Sequence, residues 1–201
     1  MPVTKAVIPA AGFGTRFLPA TKSVPKEMLP VVDMPTIQYV VEECVESGIT
    51  DILMVIGKGK HALEEHFYSS RELEKRLEDN EQFALLKKVR RISEMADIHF
   101  VWQKELNGLG DAVSHGRTFV GNDPFALLLG DTILKGSDSS QSILQQMLEI
   151  HDAKNASVVA LEEVDRDRVS RYGIAGGTNI TDNLLALDQI VEKPSAEEAP
   201  S

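Results

Sequence analysis

Cysteine is nearly missing from this 201-residue chain. Cys44 stands alone, which excludes an internal disulfide framework and agrees with a reducing compartment. Its neighbours Val40, Val41 and Val45 mark it as core packing, not as a nucleophile. Long apolar runs are missing too. No stretch approaches the ~18 residues that a membrane span requires, and the N-terminus lacks the apolar segment of a signal peptide. The expectation is a cytoplasmic protein with no membrane partner. Positive charge is scarce: 21 Lys and Arg face 31 Asp and Glu, a formal −10. With a pI near 5.0, the broad basic surface that binds a nucleic-acid backbone is not expected. The histidines, His61, His66, His99, His115 and His151, show no zinc spacing with Cys or acids, and no Ser/His/Asp or Cys/His set is evident. Hydrolysis through a covalent nucleophile is not expected on that ground. What remains is ordinary globular composition, 42% hydrophobic and 26% charged, with length for one α/β domain.

The scarce positive charge is not evenly spread. Residues 1–32 hold Lys5, Arg16, Lys22 and Lys26 against one acid, Glu27. In their midst lies Ala10-Ala11-Gly12-Phe13-Gly14-Thr15-Arg16. Backbone N–H groups can cradle a phosphate only where no Cβ intervenes, and positive φ is cheap only for glycine; Gly12 and Gly14 are expected to supply both. Lys5 to Pro9 before them has the character of a short buried strand, so the loop leaves a strand's carboxyl end, where open α/β sheets bind ligands. Two commoner phosphate motifs do not fit. A dinucleotide fingerprint needs glycine where Phe17 stands, and no G-x-x-x-x-G-K-[ST] run occurs.

Along the chain, short aliphatic runs alternate with helix-like segments. Strands are predicted near 6–9, 52–56, 98–103, 126–129 and 157–161, giving a mostly parallel sheet with helices on both faces. Ile37, Val40, Val41, Cys44 and Val45 recur at helical spacing over 35–47, with Gly48 as the stop. Segment 69–95, dense in Glu, Lys and Arg, suits a peripheral helical excursion with a solvated face. A further helix is predicted over 141–154, with His151 near its end. The closing Pro194-Ser-Ala-Glu-Glu-Ala-Pro-Ser offers no strand or helix, so either this terminus is disordered or the chain is part of a longer one.

Three more polar clusters follow predicted strand ends. Gln103 to Gly110 places an amide that can donate and accept at once, which suits a pyrimidine edge, beside Gly108, where a base could approach the backbone; a polar strand end before a helix is the alternative. Leu127-Leu-Leu-Gly130-Asp131 delivers a carboxylate at a strand tip, a position suited to Mg²⁺ held by one or two carboxylates plus phosphate oxygens, or else to a cap. In Val191-Glu192-Lys193-Pro194, a bend before proline lets Glu192 meet a sugar hydroxyl and Lys193 a phosphate. Arg171-Tyr172-Gly173-Ile174 is either a turn close to a ligand or a hairpin corner.

Taken together, these residues resemble the sugar-1-phosphate nucleotidyltransferases, over essentially the whole chain. The strongest piece runs from Ile8 to Asp33, and Pro25-Lys26-Glu27-Met28-Leu29-Pro30 within it resembles the uridylyl branch. The resemblance implies a three-layer, Rossmann-like α/β fold with a mostly parallel, mixed sheet, as a single domain over 1–201 lacking the C-terminal strand and helices of the family. It implies transfer of a uridylyl group from UTP to glucose 1-phosphate, Mg²⁺ as cofactor, and homo-oligomers in the full-length family. It further implies that Ala11, Gly12, Glu27, Gln103 and Gly108 hold the uridine, with Gly14 in the substrate loop. By the same likeness Arg16, Lys26 and Lys193 are catalytic through phosphate charge, Asp131 binds Mg²⁺, and Gly173 and Glu192 contact glucose. Two other readings share these residues: a nucleotide-binding homologue without turnover, and a transferase for another sugar phosphate or dTTP. Where the family usually has His after Gly-Leu-Gly, this chain has Asp111.

Overall fold

The computed structural model describes residues 1–136 and 141–201, and the chain forms two compact units, Met1–Val158 and Val159–Ser201. The first is built on β1 (Lys5–Pro9), β4 (Asp51–Ile56), β5 (Asp97–Trp102) and β6 (Phe125–Leu127), all parallel in the order β5-β4-β1-β6. A separate two-residue antiparallel ladder joins β2 (Pro30–Val31) to β3 (Met34–Pro35). Around them run α1 (Thr36–Glu46), α2 (His61–Phe67), α3 (Arg71–Asp79), α4 (Phe83–Glu94), α5 (Leu109–Ser114), α6 (Arg117–Val120) and α7 (Ile143–Lys154).

Strand alternation explains the three layers, because successive side chains point to opposite faces. Ala6, Ile8, Ile52, Met54 and Ile56 share one core with Ile37, Val40, Val41 and Cys44 of α1, Leu63 of α2 and Leu144 of α7. Their neighbours Val7 and Val55 point the other way, against Ala112 of α5 and Val120 of α6. The inner strands are therefore apolar without a polar side, as sheets covered on both faces require. Gly48, at φ 82°, ends the α1 segment as expected. The 69–95 excursion divides into α3 and α4, which bury Leu77 and Leu86 and expose most of their charge.

One predicted strand is corrected. Residues 157–161 form no ladder, and Val159 and Leu161 are each 53% exposed. Aliphatic residues make a strand only where a neighbour supplies hydrogen bonds, and no strand among the described residues pairs with them.

In Val159–Ser201 a 3-10 helix (Arg166–Arg171) leads into an antiparallel hairpin of β7 (Gly173–Thr181) and β8 (Leu184–Glu192). The segment around Gly173 is thus a strand start opposite Glu192, and the hairpin corner lies between Thr181 and Leu184 instead. A register shift at Gly176/Gly177 needs glycine, since a Cβ on Gly177 would collide with the Ala186 carbonyl. The last residues form no element but are tied down: Arg166 donates to the Ala196 carbonyl at 3.0 Å and the Ser201 hydroxyl to that of Ala175 at 3.0 Å.

Candidate active site

Parallel register carries four strand ends to one level. Past the carboxyl ends of β1, β4, β5 and β6 stand Ala11, Gly57, Gln103 and Asp131, the last beyond a short turn. From the end of β5 to the end of β6 is three strand spacings, ~14 Å, of the order of an extended nucleoside triphosphate. The loops there touch. A Cβ on Gly57 would lie 3.1 Å from the Ala11 carbonyl oxygen, and one on Gly130 would lie 3.3 Å from Glu27 Cγ and 3.4 Å from Ala10 Cβ.

The glycine loop leaves β1 with the Ala10 N–H bonded to the Val55 carbonyl at 2.8 Å. Gly14 adopts φ 67°, and a Cβ there would stand 2.9 Å from Lys26 Cβ. Thr21 fixes the turn by donating its hydroxyl to the Gly14 carbonyl at 2.8 Å. Gly12 is different. Its φ is not positive, and an added Cβ would only reach ordinary contact, 3.8 Å from Lys26 Cε. The sequence expectation that both glycines supply a left-handed turn holds for Gly14 alone; Gly12 leaves bare backbone beside a lysine.

That lysine sits between carboxylates. Lys26 Nζ is 2.6 Å from Asp131 Oδ2 and 4.0 Å from Glu27 Oε1. An ammonium has three donors, so the contact with Asp131 leaves two for other acceptors. Glu27 is fully buried and its Oε2 accepts from Lys60 Nζ at 2.6 Å, while Oε1 is buried with no hydrogen-bond partner among the described residues. Burial pushes the Glu27 carboxyl above its ordinary value, and the Lys60 ammonium opposes that push without overcoming it. An unpaired acceptor in such a place calls for a donor. Arg16, in the 3-10 turn Thr15–Phe17, is exposed and makes no ion pair among the described residues.

At the end of β5, Gln103 is 5% exposed and donates Nε2 to Asp111 Oδ2 at 2.7 Å and to the Gly108 carbonyl at 3.3 Å. Gly108, at φ 95°, opens α5 with free space where a Cβ would go. The amide expected to donate and accept at once has therefore spent its donors inside the protein.

Within Val159–Ser201, Gly173 and Glu192 are cross-strand partners, and a Cβ on Gly173 would stand 3.2 Å from Glu192 Oε2. Lys193 bends at φ 49° and its Nζ lies 3.1 Å from Glu192 Oε1, both side chains well exposed.

Lys60 and Gly57 escaped the sequence reading. Their signal was present: Gly57-Lys58-Gly59-Lys60 follows the apolar run of β4 just as the glycine loop follows β1.

The sequence profile of nucleotidyl transferases matches residues 5–201. The chain belongs to the nucleotidyl transferase family. A relative from Bacillus subtilis (strain 168), named UTP–glucose-1-phosphate uridylyltransferase, is 48% identical over 199 residues, 99% of this chain and 67% of that enzyme. The chain thus spans about two thirds of that relative's length. Among solved structures, a UTP-bound UGPase from Acinetobacter baumannii superposes with a TM-score of 0.92 at 41% identity, covering 99% of this chain and 70% of that one. A UDP-glucose pyrophosphorylase complexed with UDP-glucose gives 0.86 at 42%, covering 99% and 72%. The α/β fold with its parallel central sheet β5-β4-β1-β6 matches those structures.

Proposed function

We infer that the chain transfers a uridylyl group from UTP to glucose 1-phosphate, giving UDP-glucose and pyrophosphate. The observation that carries this reading is the meeting of Lys26 and Asp131 beside a glycine loop, past the carboxyl ends of the strands that also deliver Gln103. The UTP-bound and UDP-glucose-bound relatives support the choice of substrates.

The chemistry asks for little covalent help. A phosphate oxygen of glucose 1-phosphate attacks the α-phosphorus of UTP as the α–β bridging bond breaks and pyrophosphate departs with the electron pair. That oxygen is already anionic at neutral pH, so no strong general base is needed. Arg16 and Lys26 offset the repulsion between two anions and the charge that gathers on the leaving group, and tight holding lowers the entropic barrier. Gly12 gives a phosphate access to main-chain N–H groups. The family likeness assigns Lys193 to phosphate and Gly173 with Glu192 to glucose.

Asp131 fits a hard cation that also takes phosphate oxygens: its carboxylate is 30% exposed, and its present partner is a lysine ammonium with two further donors for phosphate. Mg²⁺ bound by Asp131 would supply neutralisation of phosphate charge. The same reading puts the protein in the cytoplasm, without nucleic acid, as one functional domain that associates with copies of itself. The single cysteine agrees with the first and the acidic composition supports the second, and no helix among the described residues is long and apolar enough to cross a membrane.

Pyrophosphate release measured with UTP, dTTP, CTP and ATP, with and without glucose 1-phosphate and Mg²⁺, tests it. Release is expected with UTP and to require both additions. UTP binding without release would make the chain a nucleotide-binding homologue instead.

A further inference from the structure

Asp111 is a charged residue in a place where the function just proposed gives it no task. Its carboxylate nonetheless makes the shorter of the two hydrogen bonds to the buried Gln103 amide. Both groups facing that end of the amide, the Asp111 carboxylate oxygen and the Gly108 carbonyl, accept hydrogen bonds, and a carbonyl can do nothing else. The amide end between them must then be the NH₂, with both of its hydrogens engaged. The other end, Oε1, has no hydrogen-bond partner among the described residues, yet it is not among the buried unpartnered atoms, so it remains reachable from outside. Gln103 therefore offers a ligand one acceptor and no side-chain donor.

We propose that Asp111 sets the nucleobase preference of the site by holding the Gln103 amide with its carbonyl oxygen outward. This rests on the uridylyltransferase reading and sharpens it. Uracil presents a ring N3–H to such an acceptor; cytosine presents a bare N3 lone pair there, and two acceptors repel. Thymine carries the same N3–H, so the device separates uracil from cytosine and leaves dTTP to other contacts. Asp111 acts through Gln103 and is a positioning residue.

The test compares kcat/KM for UTP and CTP, at fixed glucose 1-phosphate, in the wild type, Asp111→Ala and Asp111→Asn, with thermal melts confirming that each is folded. In Asp111→Ala the amide keeps only the longer bond to the Gly108 carbonyl, its orientation is held less firmly, and the UTP-to-CTP ratio falls about tenfold, the worth of one net hydrogen bond to a buried group, mainly through KM for UTP. Asp111→Asn keeps an acceptor and retains most of the preference. A folded Asp111→Ala enzyme with an unchanged ratio overturns the proposal while leaving the transferase intact. So does an Asn variant that falls as far as Ala, because charge and not amide orientation would then be responsible. A wild-type chain that releases pyrophosphate from no nucleotide overturns the function and this inference together.

Discussion

Gly12 and Gly14 stand two residues apart, but they answer to different demands. At Gly14 any side chain meets both a left-handed backbone and Lys26 Cβ at 2.9 Å. Gly14→Ala should therefore cost at least ~1–2 kcal/mol of unfolding free energy, read from urea denaturation, and displace Lys26. Gly12→Ala meets nothing closer than 3.8 Å; its stability should stay near wild type while KM for UTP rises, because a methyl now covers the bare backbone. Equal destabilisation by the two would contradict the division of labour. Charge is the other residue-scale demand. Lys26→Ala and Arg16→Ala should each lower kcat by about 10²-fold or more, the scale of losing one preorganised stabilising donor; near-normal turnover in stopped-point pyrophosphate assays would defeat that assignment. Residue identity in the sequence showed these cations, glycines and Asp131 because their chemistry is local and their position after apolar runs is repetitive. It hid Lys60, whose importance comes from a pairing 33 positions away with Glu27, and it showed Asp111 only as a departure from the family's usual His, since the amide it orients lies across a turn.

Elements meet at identifiable contacts, and the junction of α1 with α7 is the most informative. Ser142 and Gln145 form a reciprocal capping box at the start of α7. Glu43 of α1 then accepts from the Leu144 N–H at 3.1 Å, and Gln145 donates to the Glu46 carbonyl at 2.7 Å. Burial pushes the Glu43 carboxyl above its ordinary value, the Leu144 hydrogen bond pulls it down less, and neighbouring Glu46 adds to the rise. An acid whose folded value is raised contributes stability that is present below its unfolded pKa and is lost as pH climbs through the folded one. Glu43→Gln keeps an acceptor for Leu144 and does not titrate. Its urea midpoint should therefore improve relative to wild type between pH 4 and pH 7; a relative decline over that interval would refute the burial argument. The same helices were readable from sequence because a 3.6-residue apolar period survives in isolation. The β7–β8 hairpin was not, because Gly176 and Gly177 interrupt its alternation and a bulge shifts its register. The 157–161 run misled for the converse reason: it has strand composition but no partner ladder.

For the whole molecule the decisive quantity is how often the Met1–Val158 core opens, and Cys44 reports it. The thiol is fully buried among Ile37, Val41 and the strand residues of that core. Burial first, and the charge of Glu43 second, push its pKa from 9.0 up to about 12. Its folded value being raised, its contribution to stability is whole below pH 9 and fades as pH rises toward 12. Since the thiolate is the reactive species, labelling at pH 8 must wait for opening of the core, which makes the rate a measure of the unit's stability when reclosing is fast. On the proposed reading UTP sits at the ends of β1, β5 and β6 and binds only the closed form. At 100 times its dissociation constant it should slow Cys44 labelling about 100-fold, equivalent to ~2.7 kcal/mol. Thiol-reagent kinetics with and without UTP decide the matter: labelling as fast as a free thiol would mean that α1 does not close the core, and labelling that UTP fails to slow would mean that nucleotide binding and the packing of α1 are uncoupled.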